Sequence, residues 1–334
     1  MAENSGILVY GEVADDGLSG TSKELLGKAS EMAGTLGESV VGVVAGGGAR
    51  AAAQEMVAHG AAKVYCAEGG TLETYDSDIY TAALAALVGE TSPSILLMGH
   101  TEVGRDLGPR LAFRLDTGIG TDCTDLSIDP ESNLMVQTRP VYGGNAQAQV
   151  VVEGSSPQMA TVRPKTLQPS EYDASASGEI VDWQPPVDAS TARTKVVDRV
   201  EAEAAGMKLE EAPAIIAGGR GVGSSEAFDD LAEVARTLGG LVGATRAACD
   251  SGYISPSVQI GITGRVVSPD LYIAVALSGA SQHMSGCLGS KVIVAVNKDP
   301  DANVFKDSRY GAVGDFKQVL PAFHEKCKEL LASS

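Results

Sequence analysis

Basic and polar residues follow short apolar runs in the second half of this 334-residue chain. Arg220 lies inside the glycine-rich run Gly218–Gly223, Thr245 and Arg246 follow the next apolar run, and His283 lies in a later segment of small residues. Guanidinium groups bind anions or lie against heteroaromatic rings, while hydroxyls and imidazoles hydrogen-bond polar ring atoms. These residue types predict a site that binds a phosphate-bearing cofactor.

The same part of the chain carries further hydroxyl, amide and small residues at or just after the ends of predicted strands. In open α/β sheets, ligands bind at that edge. We therefore predict that the site also includes Gln259, Ile260, Gly261, Ile262, Thr263, Ser278, Gly279, Ala280, Ser281, Gln282 and Asn297. The sequence has no G-x-S-x-G, Walker or H-E-x-x-H motif and no paired acid/base cluster. The pattern favours cofactor binding over attack on a substrate.

An α/β fold is predicted to position these residues. In the first half, β-branched runs such as Ile7–Tyr10 alternate with segments of helical spacing such as Ser22–Leu36. This alternation predicts a doubly wound, mostly parallel sheet. Period-two segments at 134–138 and 147–152, joined by the turn Gly143-Gly144-Asn145, predict antiparallel additions to that sheet.

Two domains are expected from the chain length and from a change in composition. The interrupted, Ser- and Pro-containing stretch at about 170–205 predicts a linker. The first domain is then 1–190. The second domain, 206–334, begins with the strand Ala214–Ala217 and has the alternation of a second, Rossmann-like α/β unit.

Composition excludes several classes of function. The formal net charge of −18 disfavours binding to nucleic acid or to an acidic membrane surface. The sequence contains neither an apolar stretch of membrane-spanning length nor a signal-peptide pattern, which indicates a cytoplasmic protein without membrane insertion. Five scattered cysteines and four histidines lack metal-ligand spacing, so no metal is expected.

Two glycine-rich turns between a strand and a helix leave other functions open. Gly46, Gly48 and Ala51 fit G-x-G-x-x-A, whereas the later turn has Ser224 at the third glycine position. Turns of this kind bind pyrophosphate at a helix N-terminus. A stand-alone NAD-dependent oxidoreductase of Rossmann type and a nucleotide-sensing protein are both compatible with these patterns.

Several longer motifs occur in a fixed order along the chain. They are Gly218-Gly219-Arg220-Gly221, Gly243-Ala244-Thr245-Arg246-Ala247-Ala248, Gly261-Ile262-Thr263-Gly264, Pro269-Asp270-Leu271-Tyr272-Ile273-Ala274, Leu277-Ser278-Gly279-Ala280-Ser281-Gln282-His283 and Val296-Asn297-Lys298-Asp299-Pro300. In this order they resemble the α subunit of electron-transfer flavoproteins. The resemblance is closest from about residue 213 to 321 and weaker but collinear over the first half.

The resemblance implies a heterodimer with a β subunit and one FAD held mainly by the second domain. AMP or a second FAD is then expected in the partner subunit. The resemblance further implies that Arg220 and Arg246 lie against the flavin, that Thr263 hydrogen-bonds the reactive ring nitrogen and that His283 faces the C2 carbonyl. Thr245 stands where the family commonly has serine.

By the same resemblance, Ser278–Gln282 lines the ribityl and phosphate portion of FAD. Asn297 and Asp315 face the adenosine end, and Phe316 is also expected to bind the cofactor. Since reduction places negative charge on the flavin, Arg246, and His283 if protonated, are expected to raise its potential. A Thr263 hydroxyl can donate or accept, so it can follow the protonation of the ring.

Three positions depart from the family pattern. Ile262 occupies the place of a glutamine, Arg309 replaces an acidic residue, and Asn303-Val304-Phe305 lacks the usual proline. Loss of the glutamine removes a hydrogen bond to the ring. These departures predict an altered flavin potential rather than lost FAD binding.

The resemblance implies an electron carrier rather than a catalyst by itself. It would accept electrons from an acyl-CoA dehydrogenase or a similar redox partner and pass them on. A variant is an NADH-dependent, electron-bifurcating complex in which the partner subunit holds the second FAD. The stand-alone NAD-dependent oxidoreductase is the alternative.

Overall fold

A computed structural model of the chain describes residues 5–14, 17–144, 146–188, 190, 192–194, 196–197 and 207–332. The chain divides into two units, with the break near residue 200 and with residues 142–144 counted in the second. Asn145 of the predicted hairpin turn lies outside the described residues, as do positions 189, 191, 195 and 198–205 of the predicted linker.

The first unit alternates strands and helices as the sequence predicts. Its strands are β1 (Ile7–Gly11), β2 (Val13–Ala14), β3 (Gly17–Leu18), β4 (Val40–Ala45), β5 (Lys63–Ala67), β6 (Ile95–Gly99), β7 (Ile119–Cys123), β8 (Asp125–Ile128), β9 (Met135–Val141), β10 (Ala146–Val150), β11 (Gln158–Val162) and β12 (Glu179–Asp182). Its helices are α1 (Gly20–Leu36), α2 (Ala49–Ala58), α3 (Ser77–Thr91) and α4 (Glu102–Arg114).

Seven strands form a parallel sheet in the order β12-β5-β4-β1-β6-β11-β7. Successive residues of β1 enter opposite cores. Ile7 lies with Leu25 of α1 on one face, and Leu8 lies with Leu87 of α3 on the other. Both faces are therefore covered, and the prediction of a doubly wound sheet is confirmed.

The antiparallel strands form a sheet of their own. β8, β9 and β10 pair antiparallel in the order β10-β9-β8, and none of them extends the seven-stranded sheet. Alternating sequence predicts strands and their pairing as hairpins, but the choice of sheet depends on contacts far apart in the chain. The parallel sheet is thus wholly parallel, without antiparallel additions.

Part of the predicted linker is a strand of the first unit. β12 pairs parallel with β5, with Glu179 opposite Lys63. Trp183 follows at once, is 8% exposed, and packs edge-on against Tyr65 with 6.4 Å between ring centroids. The stretch around residue 180 therefore completes the edge of the first sheet.

The second unit repeats the α/β class with fewer strands. Its strands are β13 (Ala214–Gly218), β14 (Leu241–Ala244), β15 (Leu271–Val275), β16 (Val292–Asn297) and β17 (Tyr310–Val313). Its helices are α5 (Ser225–Thr237), α6 (Arg246–Asp250), α7 (Ser281–Met284) and α8 (Phe316–Ala332). All five strands are parallel, in the order β14-β13-β15-β16-β17.

Successive residues of the central strands again point to opposite faces of the sheet and so contribute to two cores. Ile215 and Tyr272 lie on one face of this sheet, and Ile216 and Ile273 lie on the other with Phe228 of α5. Both faces of the five-stranded sheet are therefore covered, and the loops at its carboxyl ends extend from this core. Among the described residues, no helix combines the length and apolar character that crossing a membrane requires.

Candidate functional site

The carboxyl ends of β13 and β15 lie side by side, where the strand order of the second sheet reverses. The loop after β13 packs tightly on the backbone that leaves β15. A Cβ atom at Gly219 would overlap the carbonyl oxygen of Ala276, and one at Gly221 would lie 2.7 Å from the same oxygen. Glycine is required at both positions, and the two loops border the crevice in which open α/β sheets bind ligands.

Arg220 lies between those two glycines and is exposed. Within the described residues it makes no ion pair, so its guanidinium is available to an anion or an aromatic ring at this edge. The loop that holds it is fixed by the hydrogen bond from the Gly219 N–H to the Val275 carbonyl, at 2.9 Å. The backbone beside Arg220 is therefore ordered while its side chain is free.

Thr245 and Arg246 follow β14 at the same edge. The Thr245 N–H donates to the Gly218 carbonyl at 3.0 Å, and its hydroxyl caps α6 by accepting from the Ala248 N–H at 3.4 Å. Arg246 is 67% exposed and forms an ion pair with Asp250 at 3.4 Å. An exposed ion pair of this kind is weak, so Arg246 can turn toward a ligand at small energetic cost.

The segment around Thr263 lies beside this edge because its backbone is hydrogen-bonded to α7. The Ile262 N–H donates to the Gln282 carbonyl at 2.8 Å, and a Cβ at Gly261 would come within 2.7 Å of that oxygen. The Gln259 side-chain amide donates to the Thr263 hydroxyl at 2.9 Å, which leaves the Thr263 O–H free to donate elsewhere. Ile262 itself is 58% exposed and presents an apolar side chain.

A turn between β15 and α7 exposes a row of backbone donors. In the part of the chain that the structure describes, the N–H groups of Ser278–Gln282 have no hydrogen-bond acceptor. Gly279 adopts φ +77°, and a Cβ there would overlap the backbone of Val304. Ser278, Ala280, Ser281 and Gln282 are all exposed. Consecutive unbonded N–H groups of this kind suit the oxygens of a phosphate.

His283 is placed differently from its expected role. It is 6% exposed; its Nδ1 lies 3.0 Å from the Ile260 carbonyl and its Nε2 lies 2.8 Å from the Tyr272 hydroxyl. Burial lowers the pKa of His283 to about 4. Both ring nitrogens are therefore hydrogen-bonded inside the chain, and burial opposes the protonated His283 that was expected at the flavin.

Four other expected residues are wholly or partly occupied by the fold. Ile260 and Phe316 are 1% and 7% exposed and pack in the cores. Asn297 donates from its amide to the Leu277 carbonyl at 2.8 Å and accepts from the Asp299 N–H at 3.0 Å. The exposed Asp315 carboxylate accepts from the Lys317 N–H at 3.0 Å at the start of α8. The side chains of Ile260 and Phe316 are therefore not open to a cofactor.

Sequence reasoning missed Tyr272 as a member of this site. Tyr272 is fully buried within β15, and its hydroxyl contacts His283. A buried tyrosine hydroxyl needs a partner, so a tyrosine in an otherwise apolar strand was the available signal. Gly286 was also missed, where a Cβ would come within 2.5 Å of the Gly261 nitrogen.

The carboxyl edge of the first sheet has a different character. Asp122 accepts two hydrogen bonds from Arg163, at 2.9 and 2.8 Å, and Arg163 is 8% exposed. The Thr101 hydroxyl donates to Glu12 at 2.7 Å. Burial lowers the pKa of the neighbouring His100 to about 4. Asp122 and Arg163, and Thr101 and Glu12, are thus bonded to each other at this edge, whereas the buried Nε of nearby Arg139 has no hydrogen-bond partner among the described residues.

The Gly46 turn does not suit a pyrophosphate. A Cβ at Gly47 would come within 2.9 Å of a Glu73 carboxylate oxygen, and Glu68 accepts from the Arg50 N–H at 3.4 Å. Two carboxylates beside a phosphate would repel it. Gly46 and Gly48 instead adopt φ +109° and +75°, a left-handed backbone that favours glycine, so the turn itself accounts for the fingerprint-like spacing.

The carboxyl edge of the second sheet carries the kinds of hydrogen-bond donor and cation that a flavin dinucleotide needs. Backbone N–H groups suit phosphates, exposed guanidiniums suit a ring that becomes anionic, and the Thr263 hydroxyl suits a ring nitrogen. His283, as placed, does not fit. Within the residues that the structure describes, no three His, Cys, Asp or Glu side chains are grouped to hold a metal ion.

Two family models match the chain in succession. The electron transfer flavoprotein domain matches residues 7–188, and the electron transfer flavoprotein FAD-binding domain matches residues 208–288. The second match includes Arg220, Thr263 and Ser278–Gln282, whereas Asn297 and Asp315 lie beyond its end.

Curated relatives are similar along nearly the whole chain. Electron transfer flavoprotein subunit alpha of Megasphaera elsdenii is 43% identical over 331 residues, which cover 98% of each chain. The subunit alpha of Bacillus subtilis strain 168 is 43% identical over 325 residues, 97% of this chain and 98% of that one. Lactate dehydrogenase (NAD(+),ferredoxin) subunit LctC of Acetobacterium woodii is 35% identical over 316 residues, 95% of this chain and 75% of that protein.

Proposed function

This chain belongs to the α-subunit family of electron-transfer flavoproteins, and we propose that the carboxyl edge of its second sheet holds one FAD. Membership makes it an electron-carrying subunit that binds flavin and pairs with a β subunit. We assign an acyl-CoA dehydrogenase to the donor side, an assignment that the resemblance of the sequence supports.

The row of unbonded N–H groups at Ser278–Gln282 carries the proposal. It lies at the strand reversal of the second sheet, where the Gly219 loop and the exposed Arg220 also lie. A dinucleotide needs both phosphate donors and room for its ring at one edge. At the first sheet, Asp122 is bonded to Arg163 and Glu12 to Thr101, so the second sheet is the better candidate.

Bound FAD would supply a ring that takes up and releases single electrons. Arg246 would attract the negative charge that develops on reduction, because its guanidinium is exposed next to the edge. The Thr263 O–H would donate to a ring nitrogen, since its oxygen already accepts from Gln259. Ile262 offers no hydrogen bond at the position where the family pattern has glutamine.

Co-expression with the β subunit tests the proposal. We expect a yellow heterodimer whose visible spectrum is that of a flavin, and FAD as the nucleotide released on denaturation. Arg220→Glu should lower the FAD content, because it places a negative charge beside the phosphate donors. Arg236→Glu is the matched control, since Arg236 is exposed in the last turn of α5. A colourless heterodimer that takes up no FAD on incubation would contradict the proposal.

A second candidate function is favoured by one relative. The Acetobacterium woodii relative is named as a subunit of a dehydrogenase that uses NAD+ and ferredoxin. We propose as the alternative that this chain serves a bifurcating complex with a second FAD in its partner. Counting the nucleotides per heterodimer separates the two: two FAD indicate bifurcation, and one FAD with one AMP indicates a simple carrier.

A further inference from the structure

We propose that Arg265 is a positioning residue, which Glu210 and the Ser257 carbonyl hold in place and which fixes the turn that presents Thr263 to the cofactor. The inference deepens the proposed function, because it identifies the groups that orient one hydroxyl at the carboxyl edge of the second sheet. It rests on that function for the identity of the cofactor. The turn and its support belong to the chain itself, so they can be measured with or without bound flavin.

The residues from Gln259 to Arg265 form a closed turn. At its base, the Arg265 N–H donates to the Gln259 carbonyl at 2.8 Å, and the Arg265 carbonyl accepts from the Gly261 N–H at 3.1 Å. A Cβ at Gly264 would come within 2.4 Å of the Gln259 carbonyl oxygen, so the two arms of the turn are in close contact. Thr263 is exposed near the tip, where the Gln259 amide donates to its hydroxyl. The base of the turn therefore determines where the Thr263 hydroxyl lies.

The Arg265 guanidinium joins this base to two other segments of the second unit. Its Nε–H donates to the Ser257 carbonyl at 2.9 Å, and its Nη1 forms an ion pair with the Glu210 carboxylate at 2.5 Å. The side chains of Arg265 and Glu210 are 34% and 25% exposed, so solvent screens this pair less than the more exposed pair of Arg246 and Asp250. A guanidinium holds its N–H groups in a rigid plane. Binding two acceptors therefore restrains the backbone of Arg265 as well.

Glu210 lies at the start of the second unit, in a segment that is anchored in the core. Leu209 and Ala212 on either side of it are 6% and 0% exposed and pack in the same core as Ile260. The Glu210 Oε2 atom is buried and has no hydrogen-bond partner among the described residues. A carboxylate in such surroundings needs a cation beside it, and the ion pair with Arg265 supplies one. The two side chains thus hold each other at the base of the turn.

Glu210→Gln separates a loss of support from a direct effect of charge, because the two change the flavin potential in opposite directions. The substitution keeps the size of the side chain but removes its charge, and charge-assisted hydrogen bonds are about twice as strong as neutral ones. Removal of a negative charge by itself would raise the potential of a nearby flavin. Displacement of the Thr263 hydroxyl would lower it, because the reduced ring loses a donor. We expect the lower potential, and no such fall when the same substitution is made in a Thr263→Val protein.

Hydrogen exchange on the heterodimer, read by mass spectrometry, measures the turn itself. Peptides that cover residues 259–265 should be protected in the natural protein and should exchange about threefold to tenfold faster in Glu210→Gln, since a hydrogen bond at the base is weakened. Asp270→Asn is the matched control, because Asp270 forms an exposed ion pair with Lys291 in the same unit. It should leave the exchange of the turn unchanged.

An unprotected turn in the natural protein would overturn the inference, whether or not Glu210→Gln folds. So would unchanged exchange in a folded Glu210→Gln protein, or a flavin potential that rises or stays the same in it. The exchange measurement needs no flavin. A colourless natural heterodimer would therefore count against the proposed function alone, and the support of the turn would still be tested.

Discussion

The two units contain the same kind of parallel sheet, but the polar groups at the carboxyl edges of the two sheets differ in their bonding partners. In the first unit, Asp122 and Arg163 pair at 2.8 Å, and Thr101 bonds to Glu12. In the second unit, Arg220 is exposed and the N–H groups of Ser278–Gln282 are unbonded within the described chain. Polar groups that satisfy one another stabilise a fold, whereas polar groups left open can bind a ligand.

This difference shows why the architecture alone does not locate a cofactor. Both sheets have a strand reversal, and both have a glycine-rich turn at their carboxyl edge. Only the partners of the polar groups distinguish the two edges. Function therefore has to be argued from the site and not from the fold class.

Among the substitutions that test this comparison, Gly279→Ala in the second unit should have the largest effect. The new Cβ would overlap the Val304 backbone, and φ is +77°. We expect a loss of about 2–4 kcal/mol in the free energy of unfolding, together with loss of FAD. Calorimetry and the visible spectrum measure the two effects.

Gly239→Ala is the control that separates the overlap of an added Cβ with its neighbours from the strain of a left-handed backbone. Gly239 has φ +65° but no atom within 4 Å of its added Cβ. This control should lose only about 1–2 kcal/mol from the left-handed backbone and keep its FAD. Equal effects at the two glycines would show that close packing of the Gly279 turn is unimportant.

Asp122→Asn tests whether the first edge is structural. The substitution removes the charge that Arg163 pairs with, and Arg163 is 8% exposed. We expect a loss of about 2–3 kcal/mol in stability with FAD content unchanged. Denaturant unfolding gives the first quantity and the flavin absorbance the second.

The control for that change is Asp250→Asn, which removes an exposed partner of Arg246. Its effect on stability should stay within about 0.5 kcal/mol. If Asp122→Asn instead emptied the flavin site while the first unit kept its stability, the contrast between the two edges would be wrong.

Arg246→Ala should have the smallest effect on stability and should act on the flavin. The side chain is 67% exposed, so unfolding should change by no more than about 0.5 kcal/mol. The flavin potential should fall by the equivalent of about 1 kcal/mol, because a nearby cation is lost. A redox titration measures it, with Arg236→Ala as control, and an unchanged potential would remove Arg246 from the tuning role.

Much of the fold was predictable because the parallel strands are buried on both faces. Runs such as Ile7–Tyr10 and Ile95–Met98 are apolar throughout, and each became a central strand. The edge strand β12 was missed for the converse reason. Glu-Ile-Val-Asp is short, half exposed and surrounded by linker-like residues, so it carries no apolar run.

The candidate site was predictable in residue type but not in orientation. Glycine-rich turns and the residues after the strands predicted a site at the carboxyl edge of the second sheet, and in the structure those turns lie along that edge. The sequence could not show that His283 turns inward, because this depends on Tyr272, eleven residues away and on another element. The inward packing of Phe316 depends in the same way on contacts that form only in the folded unit.

β12 is the last strand of the first sheet along the chain, and the residue that follows it, Trp183, gives a fluorescence signal for its pairing. Trp183 is the sole tryptophan of the sequence, and it is buried directly after β12 against Tyr65. During synthesis, the first sheet cannot acquire its last strand until residue 182 has left the ribosome, more than 110 residues after β5. Tryptophan emission therefore reports the closure of the first unit.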